Sequence, residues 1–144
     1  MSDLPNEVPF ASIPGGSAFV EWFGSEPNFH DATLIDLVLA DGSAILRLKT
    51  FRMTNRVAPG GHYILDRHAV VTLHLSGVTG VSLIGNAASI ILCLNIQRVD
   101  VTPSGFSTCA GPGPTDYRIR LEATYGLEGS IFARSLSMAF VPIE

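Results

Sequence analysis

Hydrophobic and polar positions alternate with a period of two along most of the chain after Phe29, which is typical of β-strands. The segment 117–125 shows the pattern clearly, because Ile119 and Leu121 alternate with Arg118, Arg120 and charged or polar residues beyond them. The sequence contains seven such runs: ATLIDLVLA, AILRLKTFR, HAVVTLHLS, VSLIG, SIILCLNIQRVDV, DYRIRLEATYG and SIFARSLSMAFVP. Seven short-period runs predict a mainly β fold, either an antiparallel β-sandwich or a partly open β-barrel.

The same alternation predicts which residues share a face of each strand. In the fifth run it places four aliphatic residues on one face: Ile90, Leu92, Leu94 and Ile96. In the last run it places four large residues together on the inner face: Phe132, Leu136, Met138 and Phe140.

Turn residues divide the runs into hairpins. Asp41-Gly42 lies between the first two runs and is a strong signal for a two-residue hairpin. The stretch YGLEGS, with Gly126 and Gly129, predicts a second tight turn before the last strand. The stretches TNRVAPGGHY and GVTG predict a polar loop and a turn, and TPSGFSTCAGPGPT predicts a long loop.

One short N-terminal helix is expected before the strands begin. The stretch SAFVEWFG offers Ser17 as an N-cap and Gly24 as a stop, with Ala18, Phe19, Trp22 and Phe23 on one side. The preceding residues are rich in proline and glycine, so we expect residues 1–16 to be irregular. Residues 17–144 are expected to form a single β-rich domain.

The chain has 47% hydrophobic and only 15% charged residues, fewer than the roughly 25% typical of soluble domains. A surface so poor in charge favours coverage by another protein, so we expect a protein partner and a homo-oligomer. The net charge is −4, and the sequence contains no basic stripe of the kind that binds duplex nucleic acid. Nucleic acid is therefore not an expected partner.

The sequence predicts a soluble, cytoplasmic protein with no membrane partner. Cys93 lies in an apolar strand pattern and Cys109 in a loop, which indicates two unpaired thiols in a reducing compartment. The N-terminal stretch MSDLPNEVPF lacks the features of a secretory signal. The longest apolar runs are far shorter than the roughly 20 residues of a spanning helix.

The candidate chemical groups do not form a recognisable catalytic or metal motif. His68 and His74 would lie roughly 20 Å apart on one strand, too far to ligate one ion. The glycines of GVSLIG do not have the spacing of a nucleophile elbow, and Cys93 has no adjacent base. The glycines of GPGP alternate with prolines, which cannot donate to a phosphate. We therefore expect no enzymatic activity, no catalytic residue, no metal site and no cofactor.

The stretch NFHDA carries the most distinctive polar pair. Asp31 stands directly before the first strand and can accept backbone N–H groups in an Asx turn, with His30 bridging the turn. The main interpretation is a polar hinge at the entry of the strand. Part of a recognition or ligand rim is the alternative, and a catalytic pair is the least favoured of the three.

Several stretches together resemble the immunity protein 50 family, small bacterial proteins thought to neutralise toxins of polymorphic toxin systems. They are EWFGSEPNFHDA, the hairpin around the DG turn, and LEATYGLEG, and the resemblance spans roughly residues 21–142. The matching positions are Trp22, Phe29, His30, Asp31, Tyr125 and Gly126. The resemblance implies a non-enzymatic module that binds a protein, in its sharpest form a toxin. Its expected binding residues are Trp22, Phe29, His30, Asp31 and Tyr125.

A second hypothesis has a different chemistry. A small β-barrel could hold a ligand or perform a minor hydrolytic step, with His30 and Asp31 at the mouth of its pocket. This version requires both side chains to converge on one deep cavity.

Overall fold

The computed structural model describes residues 6–86, 90–103, 105–106 and 111–143. One α-helix, α1 (Gly16–Phe23), follows a short 3-10 turn at Phe10–Ser12. The strands are β1 (Glu7–Val8), β2 (Thr33–Ala40), β3 (Ser43–Val57), β4 (Tyr63–Ile84), β5 (Ile90–Arg98), β6 (Tyr117–Tyr125) and β7 (Glu128–Pro142). No helix in this part of the chain is long and apolar enough to cross a membrane.

The strands form one antiparallel sheet in the order β1-β5-β2-β3-β4-β7-β6. Because β5 also pairs with β6, the sheet rings round partly like a barrel. β4 and β7 pair from Ala69 opposite Pro142 to Ile84 opposite Glu128, whereas β2 and β5 share a single pair among the described residues, Thr33 opposite Ile90. We call this junction the seam. The predicted mainly β fold with a partly open barrel and one short helix is confirmed.

The inner face of the ring is filled by aliphatic side chains. Ile119 and Leu121 on β6 are buried, as the alternation predicts. Leu46, Leu48, Leu73 and Leu75 are fully buried on β3 and β4. Each fully buried leucine removes enough apolar surface from water to contribute roughly 1.5–3 kcal/mol, so this interior supplies the main stabilisation of the ring.

The prediction for Phe132 is wrong. The alternation of β7 changes phase beside the left-handed Gly77, where Arg134 and Ser135 are both exposed. Ile131 and Ala133 therefore belong to the inner cluster. Phe132 packs edge-on against Phe106 at 5.2 Å between ring centroids.

Strand β5 also departs from the predicted alternation of inward and outward side chains. Register shifts at Ile90 and Ile91 bring Ile91 into the core and leave Ile90 exposed. Leu94 and Ile96 face inward as predicted. The side chain of Leu92 lies outside the described residues.

The helix ends where predicted but begins elsewhere. The Gly24 N–H donates to the Val20 carbonyl at 2.8 Å with Gly24 in the left-handed region, so it is the C-cap. Ser17 is not the N-cap, because the helix starts at Gly16 after the left-handed Gly15 (φ 82°). A side chain at Gly15 would collide with the Met138 carbonyl, so only glycine permits this close approach.

The predicted hairpin around Asp41-Gly42 is present. Asp41 and Gly42 both have positive φ (52° and 74°), as a primed hairpin turn requires. β6 and β7 also pair as antiparallel neighbours, but their pairing ends at Leu121 opposite Gly129, so the connection around Gly126 is wider than the predicted tight turn. The predicted loop TNRVAPGGHY is much shorter, because β3 continues to Val57 and β4 begins at Tyr63. The predicted turn GVTG is wrong, since it is an irregularity within β4 that contains the left-handed Gly77.

We expect Gly15→Ala to destabilise the protein much more than Gly42→Ala. Both glycines have positive φ, so either substitution carries a backbone cost of about 1–2 kcal/mol. Only at Gly15 does the new methyl group also overlap a backbone oxygen, which adds about 1–3 kcal/mol. Urea unfolding of both variants measures the difference. Equal losses would contradict the packing of Gly15 against β7.

Candidate functional site

Phe29 is a core residue and not a contact for a partner. It is only 2% exposed, and its ring centroid lies 5.2 Å from that of Phe10 and 6.4 Å from that of Phe19. Its backbone has a left-handed φ of 62°, which turns the chain so that the ring points inward. Phe29 is therefore removed from the set of predicted binding residues.

The polar residues of NFHDA form a hinge, but with a different turn residue. Asn28, and not Asp31, makes the Asx turn, because its Oδ1 accepts the His30 N–H at 2.9 Å. The Asp31 N–H donates to the Ile91 carbonyl at 2.8 Å and so joins the hinge to β5. His30 Nε2 lies 3.5 Å from Asp31 Oδ2, with both side chains nearly half exposed. Such an exposed contact contributes little energy.

The hinge does not gather its polar pair around a deep cavity. His30 borders a shallow depression of about 250 Å3, together with Phe23, Phe51 and Met53. Asp31 is not among the residues that line this depression. The convergence that a hydrolytic pocket mouth requires is therefore not seen at this pair.

Trp22 lies on α1 and is half-buried. Its ring contacts Phe19 and Phe140 at centroid distances of 6.1 and 5.1 Å. The Arg67 guanidinium lies 5.6 Å from the ring centroid, and Arg67 Nε donates to the Trp22 carbonyl at 3.0 Å. Trp22 thus connects the helix to β4, and its indole belongs mainly to this packing. The side chain of Tyr125 lies outside the described residues, while its backbone pairs with Ile90.

Strands β3 and β4 continue beyond the rest of the sheet as a two-stranded arm. Pairing with β2 ends at Lys49, and pairing with β7 ends at Ala69. Within the described part of the chain, residues 51–57 and 63–68 therefore pair in the sheet only with each other, while the His68 carbonyl also accepts the Ile143 N–H at 3.0 Å. We call this arm the ribbon.

One face of the ribbon is apolar and open to solvent. Met53 pairs with Leu65 and Val57 pairs with Tyr63, and Tyr63 and Leu65 share a face because they are two residues apart. Their exposures are 50% for Met53, 57% for Val57, 57% for Tyr63 and 39% for Leu65. We call these four residues the apolar face. The sequence pattern does not predict this face, because Val57 and Tyr63 lie in the stretch that it predicts to be a loop.

The opposite face of the ribbon is fastened to the end of the helix. Arg52 donates from Nε and Nη2 to the two carboxylate oxygens of Asp66 at 2.9 and 2.8 Å, and from Nη1 to the Phe23 carbonyl at 3.1 Å. Gly24 leaves room for this guanidinium, since a Cβ there would lie 2.5 Å from Nη1. Arginines at a helix C-terminus also complement the helix dipole. The ribbon is therefore held at its base while its tip stays open.

The Arg52 hydrogen bonds hold the pKa of Asp66 below its ordinary value of 3.8. The charges of Arg52, Arg67 and Arg56 act in the same direction, and partial burial opposes them. A folded-state pKa below the unfolded value means that the ionised carboxylate stabilises the fold.

A second concave feature lies on the outer side of β5. This groove of about 500 Å3 runs between the segments 7–10 and 26–28, with β5 as its floor. The Glu26 carboxylate accepts the Phe10 and Ala11 N–H groups at 2.7 and 3.0 Å and joins the two walls. The Leu94 N–H donates to the Asn28 carbonyl at 3.0 Å and joins one wall to the floor.

A buried acceptor without a partner lies on β5, the floor strand of the groove. Asn95 Oδ1 is shielded from solvent, and it has no hydrogen-bond partner among the described residues. A buried amide oxygen left without a donor costs roughly 1–3 kcal/mol. The groove also contains Cys93, whose thiol pKa is raised by burial and by the carboxylates of Glu122 and Glu7. The Cys93 thiol therefore stays protonated and is a weak nucleophile.

The described residues contain no group of three or more His, Cys, Asp or Glu side chains that could hold a metal ion. Cys109, the other cysteine, lies outside them. Comparisons with known protein families, with curated proteins and with solved structures find no match to this chain. The resemblance to the immunity protein 50 family therefore stays a prediction.

We expect Asp66→Asn to loosen the ribbon without opening the barrel. Loss of the paired charges should speed hydrogen exchange of the ribbon amides about fivefold near neutral pH, measured by NMR. In the unmodified chain the same loosening should develop as the pH falls below 3.8 through the folded-state pKa, where Asp66 takes up a proton.

Asp36→Asn is the matched control, because it breaks the Arg47–Asp36 pair on the β2–β3 hairpin. It should leave exchange in the ribbon unchanged. Ribbon exchange that does not respond to Asp66→Asn would show that Arg52 does not hold the arm in place.

Proposed function

We propose that this protein is a non-enzymatic protein-binding module that meets its partner with the apolar face of the ribbon. The observation that carries the proposal is the exposure of four paired apolar side chains on an arm whose two strands, as far as the structure describes the chain, pair only with each other. Contiguous exposed apolar side chains on an otherwise well-packed protein mark interaction surfaces. Tyr63 supports the proposal further, since tyrosine is enriched among residues that dominate binding energy.

Charge favours an acidic rim on the partner. Residues 49–68 contain four basic side chains and one acidic side chain, although the whole chain carries a net charge of −4. The Arg56 side chain is 69% exposed beside the apolar face. A partner surface with an apolar centre and acidic surroundings would complement the ribbon and associate faster at low salt.

In the sharpest form of the proposal the partner is a toxin that this protein neutralises, as the family resemblance implies. The ligand-binding barrel with His30 and Asp31 at its mouth has weaker support. The inside of the ring is occupied by buried side chains such as Leu46 and Leu73, and His30 borders only a shallow depression.

A photo-crosslinking amino acid at position 63, introduced in the native host, should capture one partner protein. The same group at position 38 should not, although Val38 is 50% exposed. The double substitution Tyr63→Ser, Leu65→Ser should weaken binding of the purified partner roughly 30-fold, measured by calorimetry. The control Val38→Ser, Leu39→Ser removes a similar exposed apolar surface from β2 and should leave affinity unchanged.

Equal capture at both positions, or full affinity of the Tyr63→Ser, Leu65→Ser protein, would refute the ribbon as the binding surface. The toxin form requires more: the captured protein must arrest growth when expressed alone, and co-expression must restore growth. Sedimentation equilibrium at high micromolar concentration tests the expected homo-oligomer. A dimer that the ribbon substitutions dissociate would show that a second copy, and not another protein, occupies the apolar face.

A further inference from the structure

A half-buried arginine on the outer face of β6 has no counter-ion among the described residues. Arg118 points away from the interior of the ring, because its neighbour Ile119 is buried in the core. Its Nε donates to the Ser130 hydroxyl at 2.8 Å, and its guanidinium lies 5.7 Å from the centroid of the Phe132 ring. Both of these partners are neutral. Withdrawing a charge from water without a counter-ion costs free energy, so this position favours an anionic ligand.

The surroundings of Arg118 differ from those of the arginines that hold the sheet together. Hydrogen bonds to an aspartate raise the pKa of both Arg47 and Arg52. Burial instead lowers the pKa of Arg118, and the positive charge of Arg120 acts in the same direction. Arg120 itself is paired with Glu122 at 3.0 Å. The charge of Arg118 therefore stays uncompensated where its neighbours' charges are balanced.

The outer edge of the Arg118 guanidinium is accessible. Its Nη1 and Nη2 donate to no described group. In the described part of the chain, the side-chain polar atoms that are both sealed from solvent and unpaired are Thr50 Oγ1 and Asn95 Oδ1. Solvent therefore reaches both Nη atoms. With Nε engaged, these two atoms form the free edge of a rigid fork, whose geometry matches the two oxygens of a carboxylate.

A second donor stands beside this edge. Gln97 lies directly opposite Arg118 on β5, so the two side chains share a face, at about 4.5–5.5 Å between their Cβ atoms. The Gln97 amide makes no hydrogen bond to a described group, and neither of its polar atoms is sealed from solvent. Glu7 pairs with Gln97 from the other side and is two strand spacings from Arg118, at about 10 Å, too far for an ion pair.

Arg118 and Gln97 line a depression of about 300 Å3 at the end of β5, which we call the arginine pocket. Arg98 also lines it, with its guanidinium 4.0 Å from the centroid of the Tyr117 ring and Nη2 donating to the Tyr117 hydroxyl at 2.9 Å. The one carboxylate in the described lining belongs to Asp100. Two arginines and one aspartate make the pocket positive, although the whole chain has a net charge of −4.

The rest of the lining determines the other end of a ligand. Asp100 is already engaged, because its Oδ2 accepts the Asn6 Nδ2 at 2.6 Å. Val101 and Pro103 form an apolar side of the pocket, and Val101 is 74% exposed. An apolar group attached to the anion would cover this surface. A volume of about 300 Å3 is at the lower end of the range for small-molecule sites, so the ligand is small.

We propose that the arginine pocket binds a small organic carboxylate, with its oxygens on Arg118 Nη1 and Nη2 and on the Gln97 amide, and its apolar group against Val101 and Pro103. The ligand supplies the counter-ion that Arg118 lacks. A carboxylate suits the single free edge of one guanidinium better than a phosphate, which carries more charge and more acceptors. The pocket lies on β5 and β6, away from the ribbon, so this proposal does not rest on the protein-binding proposal.

Benzoate is a suitable probe, with benzamide as a neutral compound of the same shape. We expect benzoate to shift the NMR signals of the amides around residues 97–103 and 117–119, and to bind about tenfold more tightly than benzamide. Inorganic phosphate provides a second comparison and should bind more weakly than benzoate. Tighter binding of phosphate would show that the pocket takes a phosphate group and would overturn the assignment to a carboxylate.

Substitutions separate binding from folding. Arg118→Met keeps an unbranched side chain against Phe132 and should weaken benzoate binding about tenfold or more. Arg118→Lys keeps the charge without the fork and should weaken it about fivefold. Gln97→Met should weaken it about threefold. Arg134→Gln makes the same change of net charge as Arg118→Met at an exposed position of β7 outside the pocket, and should have no effect.

The thermal midpoint gives an independent readout. Saturating benzoate should raise the midpoint of the unmodified protein, because a ligand that binds only the folded state stabilises it. The midpoint of Arg118→Met should not respond to benzoate, whatever its value without ligand.

Equal affinity for benzoate and benzamide, or undiminished binding by both Arg118 variants, would overturn the proposal. Shifts that spread over the ribbon would overturn it as well. The Tyr63→Ser, Leu65→Ser protein should bind benzoate normally. The two proposals can therefore fail independently of one another.

Discussion

The burial of Phe19 fixes the relative positions of the helix, the hinge and β7, to which the ribbon is attached. Its ring is fully buried and lies 5.0 Å from that of Phe23, 6.4 Å from that of Phe29 and 5.1 Å from that of Phe140. Helix, hinge and β7 are thereby held together, and Phe10 joins through its edge contact with Phe29. Aromatic contacts of this kind add to the energy of burial, so the cluster is a rigid base for the ribbon and for the walls of the groove.

Polar groups in this protein mostly serve to join chain segments, and the few that do not stand out for that reason. The side chains of Arg52, Arg67 and Glu26 each bind backbone groups of a distant segment. With so few charged side chains, the chain uses most of them for internal connection. The buried Thr50 hydroxyl and the buried Asn95 amide oxygen are exceptions, because neither has a hydrogen-bond partner among the described residues. The apolar face departs in the other direction, because its side chains are open to solvent.

The sequence predicts well those features that depend on residues close together in the chain. Alternation in β6 and the Asp41-Gly42 pair are local, and the fold class and first hairpin follow from them. Bulges depend on the pairing of distant strands, so the face of Phe132 and the burial of Ile91 could not be read from spacing alone. The same holds for function. The motif around His30 is visible in the sequence as a polar pair before the first strand. The apolar face exists only because β3 and β4 extend beyond the strands on either side of them.

The seam has a consequence for how the ring opens. Among the described residues β2 and β5 share one residue pair, and the hinge adds backbone bonds between Asp31 and Ile91 and between Asn28 and Leu94. A junction held by so few bonds opens at a lower free energy than the long β4–β7 pairing, so local unfolding of the ring would begin there. Opening at this point would bring the buried ring of Phe29 into contact with water while the rest of the sheet stays paired.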